Sequence, residues 1–156
     1  MTISSITENP AVKAWLLLHQ VVNSMEKCEE REFARIGLTF QQFSVLSAIK
    51  YLRPPVKQAD VAGWLDRNAN TITMIVDRME KDGLVNRSRD LRDRRAQRLA
   101  LTPKGEQMFR KAVRLSTKLP EEIMPCLSEE QRNALSSMLE TLRQKTFEKR
   151  GIRLRS

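Results

Sequence analysis

Cysteine, histidine, glycine and aromatic side chains are all scarce in this sequence, and each scarcity closes off a class of protein. The two cysteines, Cys28 and Cys126, lie far apart and outside any CxxC pair, and the one histidine, His19, cannot complete a zinc-ligand set. Neither a disulfide framework nor a structural metal is expected. No apolar run approaches the ~18 residues of a membrane-spanning helix. The opening "MTISSITENP" has neither the cationic start nor the apolar core of a secretion signal, so a cytoplasmic chain with no membrane partner is expected. Paired carboxylates, a nucleophile beside a base and a glycine-rich phosphate cradle are also missing, which argues against an enzyme and against a cofactor.

What is present is positive charge. Against 19 acids stand 28 Lys and Arg, a formal net charge of +9. Such a field attracts polyanions, and nucleic acid leads the candidates. The other abundant residues are Leu, Met, Ala and Glu, a helix-forming composition in a chain long enough for one domain with a real core.

Apolar positions at Trp15, Leu17, Leu18, Val21, Val22 and Met25 recur at helical spacing, which predicts a first helix over about 10–36 that stops at Gly37. Thr39 with Gln42 forms a capping box for a second helix, whose inward face is Phe43, Leu46 and Ile49 and which Pro54 and Pro55 end. Ala59, Val61, Ala62 and Leu65 suit a short third helix. Residues 66–69 suit a turn, and Asn70 suits the cap of a fourth helix with Ile72, Ile75, Val76 and Met79 inward and Gly83 at its end. Two short helices joined by a tight turn are a helix-turn-helix candidate.

Next comes "RSRDLRDRRAQR", residues 87–98, with six arginines and only Asp90 and Asp93 to oppose them. On its two sides "LVNRS" and "AQRLALT" alternate with the strand period, with Leu84, Leu99 and Leu101 available to face inward. The arginine-rich segment between them is therefore expected at a hairpin tip. A basic hairpin directly after such a helix predicts a winged helix-turn-helix: mainly α, with a small β-hairpin wing. Farther on, Thr102 and Pro103 open a long helix with Met108, Phe109, Ala112 and Leu115 on one side. Pro120 and Pro125 break or kink it, and Ser128 with Gln131 caps a last helix carrying Leu135, Met138, Leu139 and Leu142.

The run "DRNANTITMIVDRMEKDGLVNRSRDLRDRRAQRLALTPKGE", residues 66–106, resembles the core of the MarR family of transcription regulators, through "VDRMEKDGLV", the "DRR" wing tip and the "LTPKGE" exit. That resemblance implies one domain over 1–156, with residues 39–101 as the DNA-binding core and 10–36 and 103–150 as dimerisation helices. It implies a homodimer that binds double-stranded DNA at a pseudo-palindromic operator and usually represses. It also implies a small phenolic or lipophilic effector, held between the dimer helices and the winged core. The broad apolar stripes of the first and last helices call for a partner independently.

Once its apolar face turns inward, the fourth helix leaves Asn70, Thr71, Thr73, Met74, Asp77 and Arg78 for the major groove, where Thr73 and Met74 suit thymine methyls and Arg78 suits phosphate or guanine. The wing offers Arg87, Arg89, Arg92, Arg94 and Arg95 to phosphates or the minor groove, with Asp93 holding the tip in shape. Trp15 and His19 on the first helix are packing residues or line the effector pocket. Two other readings stay open. One is a winged-helix module whose basic wing docks an acidic protein; the other is a thiol sensor using Cys28, although Glu26, Glu29 and Glu30 around it disfavour a thiolate.

Overall fold

The structure, a computed structural model, describes residues 8–91 and 96–151. Its elements are α1 (Pro10–Ala34), α2 (Phe40–Tyr51), α3 (Gln58–Trp64), α4 (Ala69–Lys81), β1 (Val85–Arg89), β2 (Gln97–Leu101), α5 (Pro103–Ile123) and α6 (Glu129–Lys149). This is the mainly helical fold with one hairpin that the sequence predicts. By its contacts the chain divides into two compact units, one up to Thr117 and one from Lys118 onward, so the boundary falls inside α5.

Local signals in the sequence set most boundaries. Asn9 caps α1 by accepting the amide of Ala11, and Pro10 opens it where a missing N–H costs nothing. The helix ends at Ala34, two residues before the expected Ile36, and Gly37 then takes a positive φ of 72°. Thr39 and Gln42 form the capping box of α2, each side chain accepting the other's backbone N–H. Ser128 and Gln131 do the same for α6. One expected cap is corrected: Asn68, not Asn70, precedes α4. Its carboxamide oxygen accepts the amide of Thr71 at 2.8 Å, so Asn70 falls in the first turn of the helix. A second correction concerns Pro120. The helix α5 continues through it to Ile123, and Pro125 sits in a short 3-10 turn, Met124–Cys126.

The core lies between α2, α3, α4 and the hairpin. Val45, Leu46, Ala48, Val61, Ile72, Val76 and Met79 are essentially shielded from solvent. Each large side chain among them contributes roughly 1.5–3 kcal/mol by leaving water. Both neighbouring long helices also enter this core. Phe33, in the last turn of α1, stacks on Phe43 of α2 with ring centroids 4.7 Å apart, and Phe43 stacks in turn on Phe109 of α5 at 6.3 Å.

In the hairpin, Val85 faces Leu101, Arg87 faces Leu99 and Arg89 faces Gln97. Partners directly opposite in an antiparallel pair project to the same side. The inward face is therefore Val85, Arg87, Leu99 and Leu101, and Leu84 is buried just before the strand begins rather than within its alternation. On the far edge of β2 the amide of Leu99 donates to the carbonyl of Val56 at 2.9 Å, which ties the α2–α3 connection to the wing.

Outside the core, α1 exposes Trp15, Leu17, Val21, Val22 and Met25, each about half accessible. In the second unit α6 carries Met138, Leu139 and Leu142 exposed and has no buried residue.

Candidate nucleic-acid interface

A tight turn joins α3 to α4. Asp66 takes a positive φ of 51°, a conformation that aspartate tolerates better than most residues, and the amide of Arg67 returns to the carbonyl of Ala62 at 2.9 Å. On α4 the buried Ile72, Val76 and Met79 fix which side faces out. Asn70, Met74 and Arg78, spaced four apart, form one exposed row, and Met74 is 74% accessible. Beside this row the capped start of α2 forms the other wall of a shallow cleft of about 150 Å³, lined by Thr39, Gln41, Gln42, Met74, Ile75 and Arg78.

The other three residues expected on this face behave differently. Thr71, Thr73 and Asp77 are only partly exposed. The hydroxyl of Thr73 donates to the carbonyl of Ala69 at 2.9 Å and accepts the side-chain amide of Gln58 at 2.7 Å, leaving chiefly its methyl group for a ligand. Thr71 gives its hydroxyl to Asn68. Asp77 receives the guanidinium of Arg87, Nη2 to Oδ1, at 2.5 Å. Arg87, expected among the outward cations of the wing, thus turns inward onto α4, as its place in the strand alternation requires.

Arg89, expected in the hairpin tip, is the last residue of β1 and is exposed. Arg92, Asp93, Arg94 and Arg95 lie outside the described residues. Immediately before them Asp90, 4% exposed, accepts Nε of Arg98 at 2.6 Å while its amide donates to the carbonyl of Ala96 at 2.9 Å. This acid closes the described part of the hairpin. Nothing in its spacing distinguishes it from Asp93; the difference is its register two residues from Ser88, diagonal to Arg98 on the same face.

The "LTPKGE" exit also acquires a physical meaning. The hydroxyl of Thr102 donates to the carbonyl of Gly83 at 2.6 Å and accepts the amide of Gly105 at 3.0 Å. Lys104 Nζ donates to the carbonyl of Asp82 at 2.7 Å, placing a cation at the carboxyl end of α4. Thr102, Lys104 and Gly105 therefore work on the end of α4 or the start of β1, while Glu106 accepts Lys50 of α2 at 2.9 Å, roles no local periodicity reveals.

Trp15 and His19 meet edge to face on α1, centroids 5.3 Å apart, and both are exposed in the single chain. The larger surface cleft, about 490 Å³, lies elsewhere, with Ile49, Leu52, Pro54, Pro55 and Leu99 among its walls. Cys28 is half-buried and Cys126 exposed, both as free thiols. Near Cys28, burial pushes the Glu29 carboxyl above its usual range, and the Glu26 charge adds to the shift. Among the described residues no group of three metal-ligating side chains gathers, and no helix is long and apolar enough to cross a membrane.

A helix-turn-helix with an exposed row on its second helix, followed at once by a hairpin anchored to it, defines a winged helix-turn-helix protein. Residues 38–96 match the model of the MarR family. Over those residues the chain is similar to the MarR family. Among curated relatives, the transcriptional activatory protein BadR of Rhodopseudomonas palustris is 33% identical over 103 residues, covering 64% of this chain and 58% of BadR, little more than half of that relative's length. The HTH-type transcriptional regulator YdcH of Bacillus subtilis is 26% identical over 137 residues, 86% of this chain and 92% of YdcH. Among solved structures, the organohalide-sensing regulator RdhR bound to 2,4-dichlorophenol superposes with a TM-score of 0.78 at 28% identity, covering 85% of this chain and 79% of RdhR. The transcriptional repressor CouR on a 23-mer DNA duplex does so at 0.77 and 27%, covering 91% and 97%.

Proposed function

We propose that this protein is a sequence-specific regulator of transcription that binds double-stranded DNA, with α4 in the major groove and the wing over the adjacent minor groove. The observation that carries this reading is the outward row Asn70, Met74 and Arg78, held by a buried opposite face and followed by the arginine-rich hairpin. Met74 offers an apolar contact to thymine methyls, Asn70 a bidentate amide and Arg78 a cation for guanine or phosphate. Arg89, Arg92, Arg94 and Arg95 supply the wing, where a narrow minor groove rewards a weakly hydrated guanidinium. CouR, which is a repressor seen on DNA, and RdhR, which is seen with a chlorophenol, support the class of partner.

The finer proposal is a repressor acting as a homodimer on a pseudo-palindromic operator and released by a small lipophilic or phenolic effector. The exposed apolar faces of α1 and α6 are the surfaces a second copy would cover. Trp15 and His19 would then line an effector site that the partner completes. Selection of bound sequences from random duplex DNA tests the first part. Recovery of a two-fold symmetric consensus supports it, and an unselected pool after several rounds overturns it. Derepression of a reporter placed behind the recovered site, on addition of a phenolic compound, tests the second.

A further inference from the structure

We infer that Arg87 is a positioning residue which locks the wing to the recognition helix and acts on DNA only through that lock, not as a phosphate contact. This rests on the reading of α4 as the DNA-reading helix. Four observations carry it. The side chain of Arg87 is only 20% exposed and projects from the inner face of β1, opposite Leu99. Its Nη2 reaches Asp77 Oδ1 at 2.5 Å and also donates to the carbonyl of Thr73 at 3.3 Å. Its Nε lies 3.9 Å from Glu80 Oε2, so two carboxylates one helical turn apart face one guanidinium. Thr73 in turn holds Gln58 of α3 through its hydroxyl.

The result is a continuous link from α3 through α4 to β1 that spans the whole helix-turn-helix and ends in the wing. A planar fork is needed for it. The ammonium of lysine is a point charge that could replace Nη2 at Asp77 and the Thr73 carbonyl but would not also present a second nitrogen toward Glu80 in one fixed geometry. Because Asp77 and Glu80 already balance its charge, Arg87 has little left to offer a phosphate. Its loss should uncouple the wing from α4 while leaving the exposed row in place. Asp77 then has a purpose on a surface that is otherwise built for a polyanion: it holds the arginine rather than repelling the DNA.

Two measurements decide the matter. In the free protein, a double-mutant cycle of Arg87→Met and Asp77→Asn on urea unfolding should be non-additive, the double variant no less stable than the weaker single variant. Additivity there would overturn the lock without reference to DNA. On a selected duplex, Arg87→Met should weaken binding roughly tenfold, the loss of one charge-assisted link. The slope of log affinity against log salt should stay at its wild-type value. Arg78→Ala, by contrast, should lower that slope by about 0.9 if it contacts a phosphate. Arg87→Lys should not restore affinity, and Asp77→Asn should weaken binding although it removes a negative charge. A slope reduced by about 0.9 in Arg87→Met, or full rescue by lysine, would make Arg87 a phosphate contact after all. Failure of the wild-type chain to prefer any duplex would instead remove the functional reading, and the unfolding cycle would still decide the lock.

Discussion

The carbonyl oxygen of Leu84 occupies the space that a Cβ on Gly105 would need. The first turn of α5 can therefore press against the entry of β1 only if residue 105 is glycine, and Thr102 fastens the same junction through Gly83. Gly83 itself has open space around it and a positive φ of 70°. The two glycines are needed for different reasons. Gly105→Ala meets backbone and should cost about 1–3 kcal/mol, as overpacking does. Gly83→Ala meets only the left-handed conformation and should cost roughly 1–2 kcal/mol. Urea unfolding followed by circular dichroism checks both, and Gly105→Ala should also shift the amide resonances of Leu84 and Thr102.

At the wing, Asp90 is 4% exposed and holds Arg98 at 2.6 Å. Asp90→Ala should lower stability by about 1.5–3 kcal/mol, the range for a lost hydrogen bond to a charged group. It should also weaken DNA binding, because the hairpin loses its closure. Simple Coulomb attraction predicts tighter binding instead. Fluorescence anisotropy at one fixed salt concentration separates the two outcomes.

How much of this could be read in advance depended on whether the signal was local. The caps at Thr39–Gln42 and Ser128–Gln131 and the apolar face of α4 rest on residues within one or two turns, and each stands where the sequence puts it; the first helix stops two residues early, before the positive φ of Gly37. The cap of α4 is Asn68, two residues before the expected Asn70, a distinction that composition alone does not make. Asn68 wins because its extended backbone lets its side chain reach Thr71. The alternation of the second strand is legible, with Leu99 and Leu101 inward, whereas that of the first, started at Leu84, is one residue out of step. Starting it at Leu84 hides the inward turn of Arg87, whereas starting it at Val85 reveals it. Contacts such as Gln58 with Thr73, Asp90 with Arg98 and Lys104 with Asp82 join residues that only the fold brings together.

Glu29 gives a pH dependence of definite sign. Burial, and then the charge of Glu26, raise its pKa above 4.5 in the folded chain, so the folded state keeps a proton that the unfolded state has released. Its contribution to stability is fully present below the unfolded value and is lost as the pH rises through the raised folded value. Glu29→Gln should remove this dependence. Urea midpoints measured across the acid range should fall less with rising pH in the variant than in the wild type, and parallel curves would contradict the assignment.

The exposed apolar faces of α1 and α6 predict association. Leu139→Glu combined with Leu142→Glu should leave the winged core folded, since neither residue is buried in it, and should shift the mass toward that of one chain. Light scattering at micromolar concentration should give about twice the 18.1 kDa chain mass for the wild type. A wild-type mass near 18.1 kDa would show that the stripes serve another partner.

Arg94 in the wing is expected to enter the minor groove. Its replacement by alanine should cost about 1–3 kcal/mol of binding, in line with other specific contacts, and leave the oligomeric state unchanged.

DNA recognition by the outward row of α4 is tested most directly by anisotropy titrations of the wild-type chain and of Asn70→Ala and Met74→Ala, against a selected duplex and single-base variants of it, over a range of salt. Affinity for the selected duplex should fall steeply with salt, with a slope of about −0.9 per phosphate neutralised. Each substitution should relax preference at its own base pair by roughly 1–3 kcal/mol while leaving the others discriminated. Equal affinity of the wild-type chain for all the duplexes, or an identical loss on every one of them in both variants, would contradict it.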